Sequence, residues 1–166
     1  IAGLPTDTVQ GFVNTVDQVL ALSPENVTVH TLSLKKGSRI TLEGSALPTA
    51  AEVGAMLDIA QEKLRAADYA PYYLYRQKFM SGGFENVGWS REGYINLYNI
   101  CIMEELCSIV AMGGGGSTKL VRHDGGRNIR IMEPKYPLEY INGIEKTCAD
   151  KRGITDFYRE RSQEEE

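Results

Sequence analysis

The sequence predicts an α/β fold in which short strands alternate with amphipathic helices. The first observation is that residues 8–22 carry apolar side chains at helical spacing and that residues 26–34, rich in β-branched side chains, are apolar on both alternations. The second is the same order, a helical stripe and then a strand pattern, in residues 50–78. A strand that is apolar on both faces is typical of a parallel sheet covered by helices. Because parallel strands need crossover connections, right-handed β/α units are expected.

The two helices of the first half have clear start signals. Thr8 is a candidate N-cap of the first helix, and Pro24 ends that helix. Thr49 and Glu52 have the spacing of a capping box, which predicts a second helix over residues 50–67. The apolar stripe of this second helix consists of Val53, Met56, Leu57, Ala60 and Leu64. A strand over residues 71–78 is predicted to follow it.

The second half of the chain has weaker patterns. Residues 80–99 carry glycines and aromatic side chains without a period, and a long, ordered loop is predicted there. Short strands are predicted over residues 109–112 and 128–132. The charged residues 155–166 are expected to form a solvated or frayed tail. Before them, one helix ending near Gly153 is expected from the spacing of Leu138, Ile141, Ile144 and Cys148.

Composition and charge limit the classes of function. The chain has 166 residues, of which 42% are hydrophobic and 24% are charged, as in ordinary globular domains. Its net charge of -4 argues against a mainly electrostatic role on nucleic acid or at a membrane surface. No apolar run approaches the ~18 residues that cross a bilayer. Cys101, Cys107 and Cys148 match no zinc, haem or redox spacing, so a reducing, cytoplasmic location is expected.

The clearest candidate for ligand binding is a run of four glycines, residues 113–116, followed by Ser117. Consecutive glycines can expose backbone N–H groups to a ligand because no Cβ stands in the way. Neither the GxxxxGK[ST] nor the GxGxxG phosphate-binding pattern fits this run, and a tight structural turn is the favoured interpretation. Ser33 lies at the C-terminal end of its predicted strand, where β/α barrels bind ligands. A small residue that ends a strand is the plainer interpretation of Ser33.

Other polar residues give no catalytic constellation. His30 is more typical of a hydrogen-bonded core residue, and His123 of a polar turn, than of a pair of metal ligands. The cysteines are interpreted as structural, with Cys148 acting as a small buried hydrophobe. Basic side chains near strand ends could bind the carboxylates of a polyanionic ligand or form a solvated rim: Lys35, Lys36, Arg39, Arg76 and Lys78.

Several motifs, taken in order, resemble one enzyme family. Gly3-Leu4-Pro5-x-x-Thr8 followed by Phe12 is similar to the Gly-Leu-Pro-Gly-x-Thr signature of oxygen-independent coproporphyrinogen III oxidases, which belong to the radical S-adenosylmethionine (SAM) superfamily. Residues 20–40 resemble that family's next strand and the turn after it. The combination of residues 75–89, 98–100 and 112–117 resembles the branch called coproporphyrinogen dehydrogenase.

This resemblance implies both a fold and a chemistry. Residues 1–120 would be the C-terminal part of a partial TIM-like (β/α) barrel, residues 121–154 a family-specific β/α extension that includes the C-terminal helix, and residues 155–166 a charged tail. The parent enzyme would use a [4Fe–4S] cluster, an electron donor and SAM to form a 5′-deoxyadenosyl radical. That radical would start the oxidative decarboxylation of coproporphyrinogen III to protoporphyrinogen IX. The family's SAM contacts would fall on Ser33 and close to Gly114, Gly115, Gly116 and Ser117.

Departures from the family pattern shape what is expected of this chain. The Cys-x-x-x-Cys-x-x-Cys cluster motif and the Gly-Gly-x-Pro segment are absent from the sequence, and the chain begins at Ile1 without an initiator Met. We therefore expect a C-terminal fragment that is inactive alone and can self-associate through an open barrel edge. A haem-binding or haem-trafficking relative without oxidase activity is the alternative, and a standalone β/α domain with an unrelated ligand is a third.

Overall fold

A computed structural model describes residues 1–34, 38–76 and 81–164. These residues form a mixed α/β structure that divides into two compact units, Ile1–Asn99 and Ile100–Glu166. The predicted α/β class is confirmed. A portion of a radical SAM barrel and the division of the chain at residues 120 and 154 stay predictions.

The first unit contains a three-stranded sheet and the helices around it. Its elements are α1 (Val9–Ala21), β1 (Asn26–Val29), α2 (Arg39–Leu42), α3 (Ala50–Ala66), β2 (Ala70–Tyr75), a 3₁₀ turn (Ser81–Gly83) and β3 (Asn86–Ser90). The predicted first helix is confirmed, with the Thr8 side chain accepting a hydrogen bond from Gly11 N. The capping box of α3 is also present, because the Thr49 side chain accepts from Glu52 N while the Glu52 carboxylate accepts from Thr49 N.

The sheet of the first unit differs from the predicted parallel arrangement. Its strand order is β1-β3-β2, and β3 pairs antiparallel with both neighbours. Residues 86–90, predicted to belong to a loop, therefore form the central strand. The strand predicted over residues 26–34 is regular only to Val29, beyond which Ala2 and Thr31 form an isolated parallel bridge. The predicted strand over residues 71–78 ends at Tyr75, and its last two positions lie outside the described residues.

The core of the first unit lies between α1, α3 and one face of the sheet. Four of the five predicted stripe residues of α3 are buried, and Leu57 is half-buried. They pack with Phe12 and Val16 from α1 and with Val29 and Trp89 from the sheet. Full burial of a Val, Leu, Met or Phe side chain contributes roughly 1.5–3 kcal/mol to the stability of the folded state. The apolar period of the sequence therefore located the helical half of this core correctly.

The second unit is built around a two-stranded antiparallel hairpin. The helix α4 (Leu97–Met103) spans the boundary between the units, and the elements after it are β4 (Ser117–Leu120), β5 (Ile129–Met132), α5 (Pro137–Asn142), α6 (Ile144–Asp150) and α7 (Arg152–Glu164). Ser117 pairs with Met132 and Leu120 with Ile129. The strand predicted over residues 128–132 is confirmed, whereas β4 was not predicted. The strand predicted over residues 109–112 is wrong, since it is reduced to one bridge between Ile109 and Lys119.

The C-terminal helices correct two further expectations. The predicted single helix is divided at Gly143, which is the C-cap of α5 and the N-cap of α6. Cys148 is exposed, so its interpretation as a buried hydrophobe is wrong. The residues predicted to form a solvated or frayed tail are helical as far as Glu164, and the Phe157 side chain in this helix is buried. Among the described residues, no helix has the length and apolar character needed to cross a membrane.

Candidate functional site

The glycine run forms a tight turn at the entrance to β4. Gly113 and Gly115 have positive φ angles of 102° and 77°, which L side chains rarely adopt. Gly116 N donates to Gly113 O at 2.9 Å, and Gly115 N donates to Pro134 O at 2.7 Å. The predicted structural turn is therefore present. We call residues 113–117 the glycine loop.

Gly116 is fixed by packing against its surroundings. A Cβ at this position would lie 2.9 Å from Gly113 O and 3.3 Å from the Cβ of Ala111. A side chain there would open the turn. Gly114 is less crowded, since a Cβ would lie 3.5 Å from the nearest atom, Pro134 O. The loop is thus packed against the protein at Gly114 and Gly116, whereas a Cβ at Gly113 would meet no atom within 4 Å.

Ser117 ends the glycine loop and begins β4. Its Oγ is buried and has no hydrogen-bond partner among the described residues. A buried hydroxyl without a partner costs about 1–3 kcal/mol, so such a group commonly meets a ligand or a water molecule. Among the described residues, the Ser117 Oγ is therefore a candidate hydrogen-bonding group for a ligand, whereas the Gly115 and Gly116 amides are already bonded within the protein.

A buried ion pair lies directly behind the glycine loop. The Lys151 Nζ is 2.6 Å from the Glu133 Oε1, and the Glu133 side chain is 1% exposed. Glu133 N donates to Gly116 O at 2.9 Å, which joins the end of β5 to the loop. Sequence reasoning did not single out either residue. The signal that could have found Glu133 is its position directly after a predicted strand, but no spacing pointed to Lys151.

The predicted SAM contacts fall into both units. Gly114, Gly115, Gly116 and Ser117 are brought together in the glycine loop of the second unit. Ser33 belongs to the first unit and is half-buried, four residues after the end of β1. The role of all five residues in binding SAM stays a prediction.

The other predicted polar candidates have structural partners or lie outside the described residues. Lys35, Lys36 and Lys78 are outside them. The exposed Arg39 and Arg76 form surface ion pairs with Glu43 and Glu85, at 3.0 and 3.1 Å.

The two histidines differ in their surroundings. Tyr75 Oη lies 3.2 Å from the His30 Nδ1, and burial lowers the pKa of His30, which favours a neutral imidazole. His123 is exposed in the turn between β4 and β5. His30 therefore has the hydrogen-bonded environment expected of it.

The cysteines do not fit an iron–sulfur cluster. Cys107 is close enough to Cys101 for a hydrogen bond, which raises the pKa of the Cys107 thiol. Cys148 lies on α6, and within the described ranges no three His, Cys, Asp or Glu side chains are grouped so that they could hold a metal ion. A [4Fe–4S] cluster that binds SAM needs three cysteine thiolates that lie close enough together to bind the same cluster. The donor set of this chain does not supply them.

Comparison with known proteins tests the resemblance. The chain is 38% identical over 153 residues to the oxygen-independent coproporphyrinogen-III oxidase-like protein HemZ of Bacillus subtilis (strain 168). The predicted resemblance is confirmed. The match covers 91% of this chain but only 30% of that relative. No family model matches the chain, and no solved structure matches it either.

Proposed function

We propose that this chain is part of a radical SAM enzyme that converts coproporphyrinogen III to protoporphyrinogen IX by oxidative decarboxylation, in haem biosynthesis. The observation that carries the proposal is the 38% identity with HemZ over 153 residues. A match of that length includes the glycine loop and the strand that leads to Ser33. The substrate would be coproporphyrinogen III, and a further partner would donate electrons to the cluster in the cytoplasm.

The residues of this chain would contribute to SAM binding. Ser117 Oγ, buried and without a partner among the described residues, would accept or donate a hydrogen bond, and the adjoining Gly114–Gly116 would lie beside the ligand. Ser33 would supply a further contact. When bound, SAM and the cluster supply the one-electron chemistry that removes hydrogen from a propionate side chain.

The cluster itself would be held elsewhere in the parent protein. The sequence contains three cysteines and no Cys-x-x-x-Cys-x-x-Cys motif. The 166-residue chain alone is therefore expected to be inactive. Anaerobic reconstitution of this chain with iron and sulfide should yield no cluster absorbance and no 5′-deoxyadenosine from SAM.

The experiment that tests the proposal is an anaerobic assay of the full-length parent protein. Reconstituted enzyme is supplied with coproporphyrinogen III, SAM and a low-potential reductant, and protoporphyrinogen IX and 5′-deoxyadenosine are quantified. Both products are expected. Haem titration of the same protein is the second arm, and stoichiometric haem binding without any decarboxylation would overturn the proposal in favour of a haem carrier.

A substitution connects the assay to the site. Ser117→Ala removes the hydroxyl that would meet SAM, and a lost neutral hydrogen bond raises the KM for SAM by about 3–10-fold. Thr155→Ala removes an exposed hydroxyl from α7 and should leave that KM unchanged. Equal KM values in the two variants would contradict the role of Ser117.

A further inference from the structure

One lysine side chain connects three separate segments around the glycine loop. Lys151, at the end of α6, is paired with the Glu133 carboxylate at 2.6 Å. The same Nζ donates a hydrogen bond to Ala111 O, and it lies 3.5 Å from Thr118 Oγ1. Ala111 precedes the loop, Thr118 follows it, and Glu133 lies behind it. Lys151 Nζ therefore connects all three segments, through a hydrogen bond to Ala111 O, a long hydrogen bond to Thr118 Oγ1 and an ion pair with the Glu133 carboxylate.

The residues on either side of the loop are also bound to each other. Thr118 is fully buried, and its Oγ1 accepts a hydrogen bond from Ala111 N at 3.0 Å. Both backbone polar groups of Ala111 therefore have partners, one from Thr118 and one from Lys151. The two ends of the glycine loop are held at a fixed separation as a result.

The Glu133 carboxylate also lies against the glycine loop. A Cβ at Gly116 would lie 3.4 Å from the Glu133 Cδ, so the carboxylate is packed against the loop backbone. Because only 1% of the Glu133 side chain is exposed, its carboxylate is costly to bury without a compensating positive charge. Lys151 supplies that charge and is itself 23% exposed.

We propose that Lys151 and Glu133 are a positioning pair that holds the glycine loop in the conformation that binds its ligand. The inference rests on the proposed function, in which that ligand is SAM. Neither side chain is required to touch the ligand, because both act through the loop backbone. An apolar pair of the same volume would fill the space equally well but could not donate to Ala111 O.

The first test measures the loop without any ligand or turnover. Hydrogen–deuterium exchange of residues 111–118 is compared in the full-length protein and its Lys151→Met variant. Met keeps much of the side-chain volume and removes the donors, so the hydrogen-bonded amides of Gly115 and Gly116 should exchange about tenfold faster as local opening becomes easier. Lys151→Arg should restore part of the protection because it keeps the charge and the donors.

Two further variants keep the test decisive. Lys151→Met alone leaves a buried carboxylate without its partner and could unfold the second unit. The double variant Lys151→Met/Glu133→Gln removes that charge as well, so it should fold and still show the faster exchange. Lys146→Met is the matched control, because Lys146 lies on the same helix and its side chain is 85% exposed. Unchanged exchange of the loop in the folded double variant would overturn the proposal.

The second test distinguishes a positioning role from a merely structural one. If the loop of the double variant adopts the SAM-binding conformation for one-tenth of the time, the KM for SAM should rise about tenfold while kcat changes little. A loosened loop with an unchanged KM would overturn the positioning role and leave the decarboxylase proposal intact. Absence of decarboxylation in the unsubstituted parent protein, with the exchange result as expected, would overturn the proposed function instead.

Discussion

At Gly88, in the central strand of the first unit, the ring of Tyr73 occupies the space of a side chain. A Cβ built on Gly88 would lie 1.8 Å from the Tyr73 Cε1, and the Tyr73 hydroxyl is 3.0 Å from Thr28 Oγ1 on β1. Gly88→Ala is therefore expected to displace the ring and to lower the free energy of unfolding by about 1–3 kcal/mol. Urea denaturation monitored by circular dichroism measures the change.

Gly54 provides the matched control for that substitution. It lies inside α3, where a Cβ would make an ordinary contact of 3.5 Å with Phe84 Cζ. Gly54→Ala should raise the free energy of unfolding by roughly 0.5–1 kcal/mol, because Ala loses less backbone entropy in a helix. A stabilising effect at Gly88, or equal effects of the two substitutions, would contradict the observed placement of Tyr73.

Sequence reasoning located the glycine loop but missed the pair of residues that supports it. The turn was predictable because glycine, which has no Cβ, readily adopts the positive φ angles found at Gly113 and Gly115. Glu133 and Lys151 are separated along the chain and meet only because the β4–β5 hairpin and α6 fold together. Neither the types of these two residues nor their spacing in the sequence predicts the contact between them. The local turn is thus readable from the sequence, whereas its tertiary support is not.

Among the elements, α3 shows how much a local signal can determine. Its start was predicted from Thr49 and Glu52, and both hydrogen bonds of the capping box are present. By contrast, β3 lies within residues 80–99, whose glycines and aromatic side chains have no clean period and so predict a loop. Its pairing with β1 and β2 joins segments distant in sequence, which no local window reveals. The predicted parallel sheet was wrong for this reason.

The capping box of α3 makes a testable contribution to stability. Thr49→Ala removes the acceptor of Glu52 N and should lower the free energy of unfolding by about 1 kcal/mol. The hydrogen bond from Thr49 N lowers the pKa of Glu52 from its ordinary value of 4.5. The carboxylate therefore stabilises the fold fully above pH 4.5, and this stabilisation is lost as the pH falls through the lower folded-state pKa.

Glu52→Gln is the control that isolates the charge. Gln keeps an acceptor for Thr49 N and cannot titrate. The difference in unfolding free energy between the unsubstituted protein and this variant should be present at neutral pH and vanish in acid. Urea denaturation at the two pH values measures it. A difference that is independent of pH would contradict the contribution of the ionised carboxylate.

For the whole molecule, exposed apolar surface in the second unit predicts self-association of the 166-residue chain. On α5, Leu138 is 74% exposed and Ile141, three positions later, is 62% exposed. Adjacent apolar side chains on one helix face are typical of interaction surfaces. The edge strands β1 and β2 are the competing routes, and within β2 Pro71 has no N–H group to donate. We therefore expect association through α5.

Sedimentation velocity over a range of protein concentrations tests this expectation. The average sedimentation coefficient should rise with concentration, and the variant Leu138→Asp/Ile141→Asp should abolish the rise because charges replace the apolar contact. Leu42→Asp is the control, since Leu42 is equally exposed at 74% but belongs to the first unit. A monomer at every concentration would contradict the prediction. An equal effect of the control would contradict a contact that depends on α5.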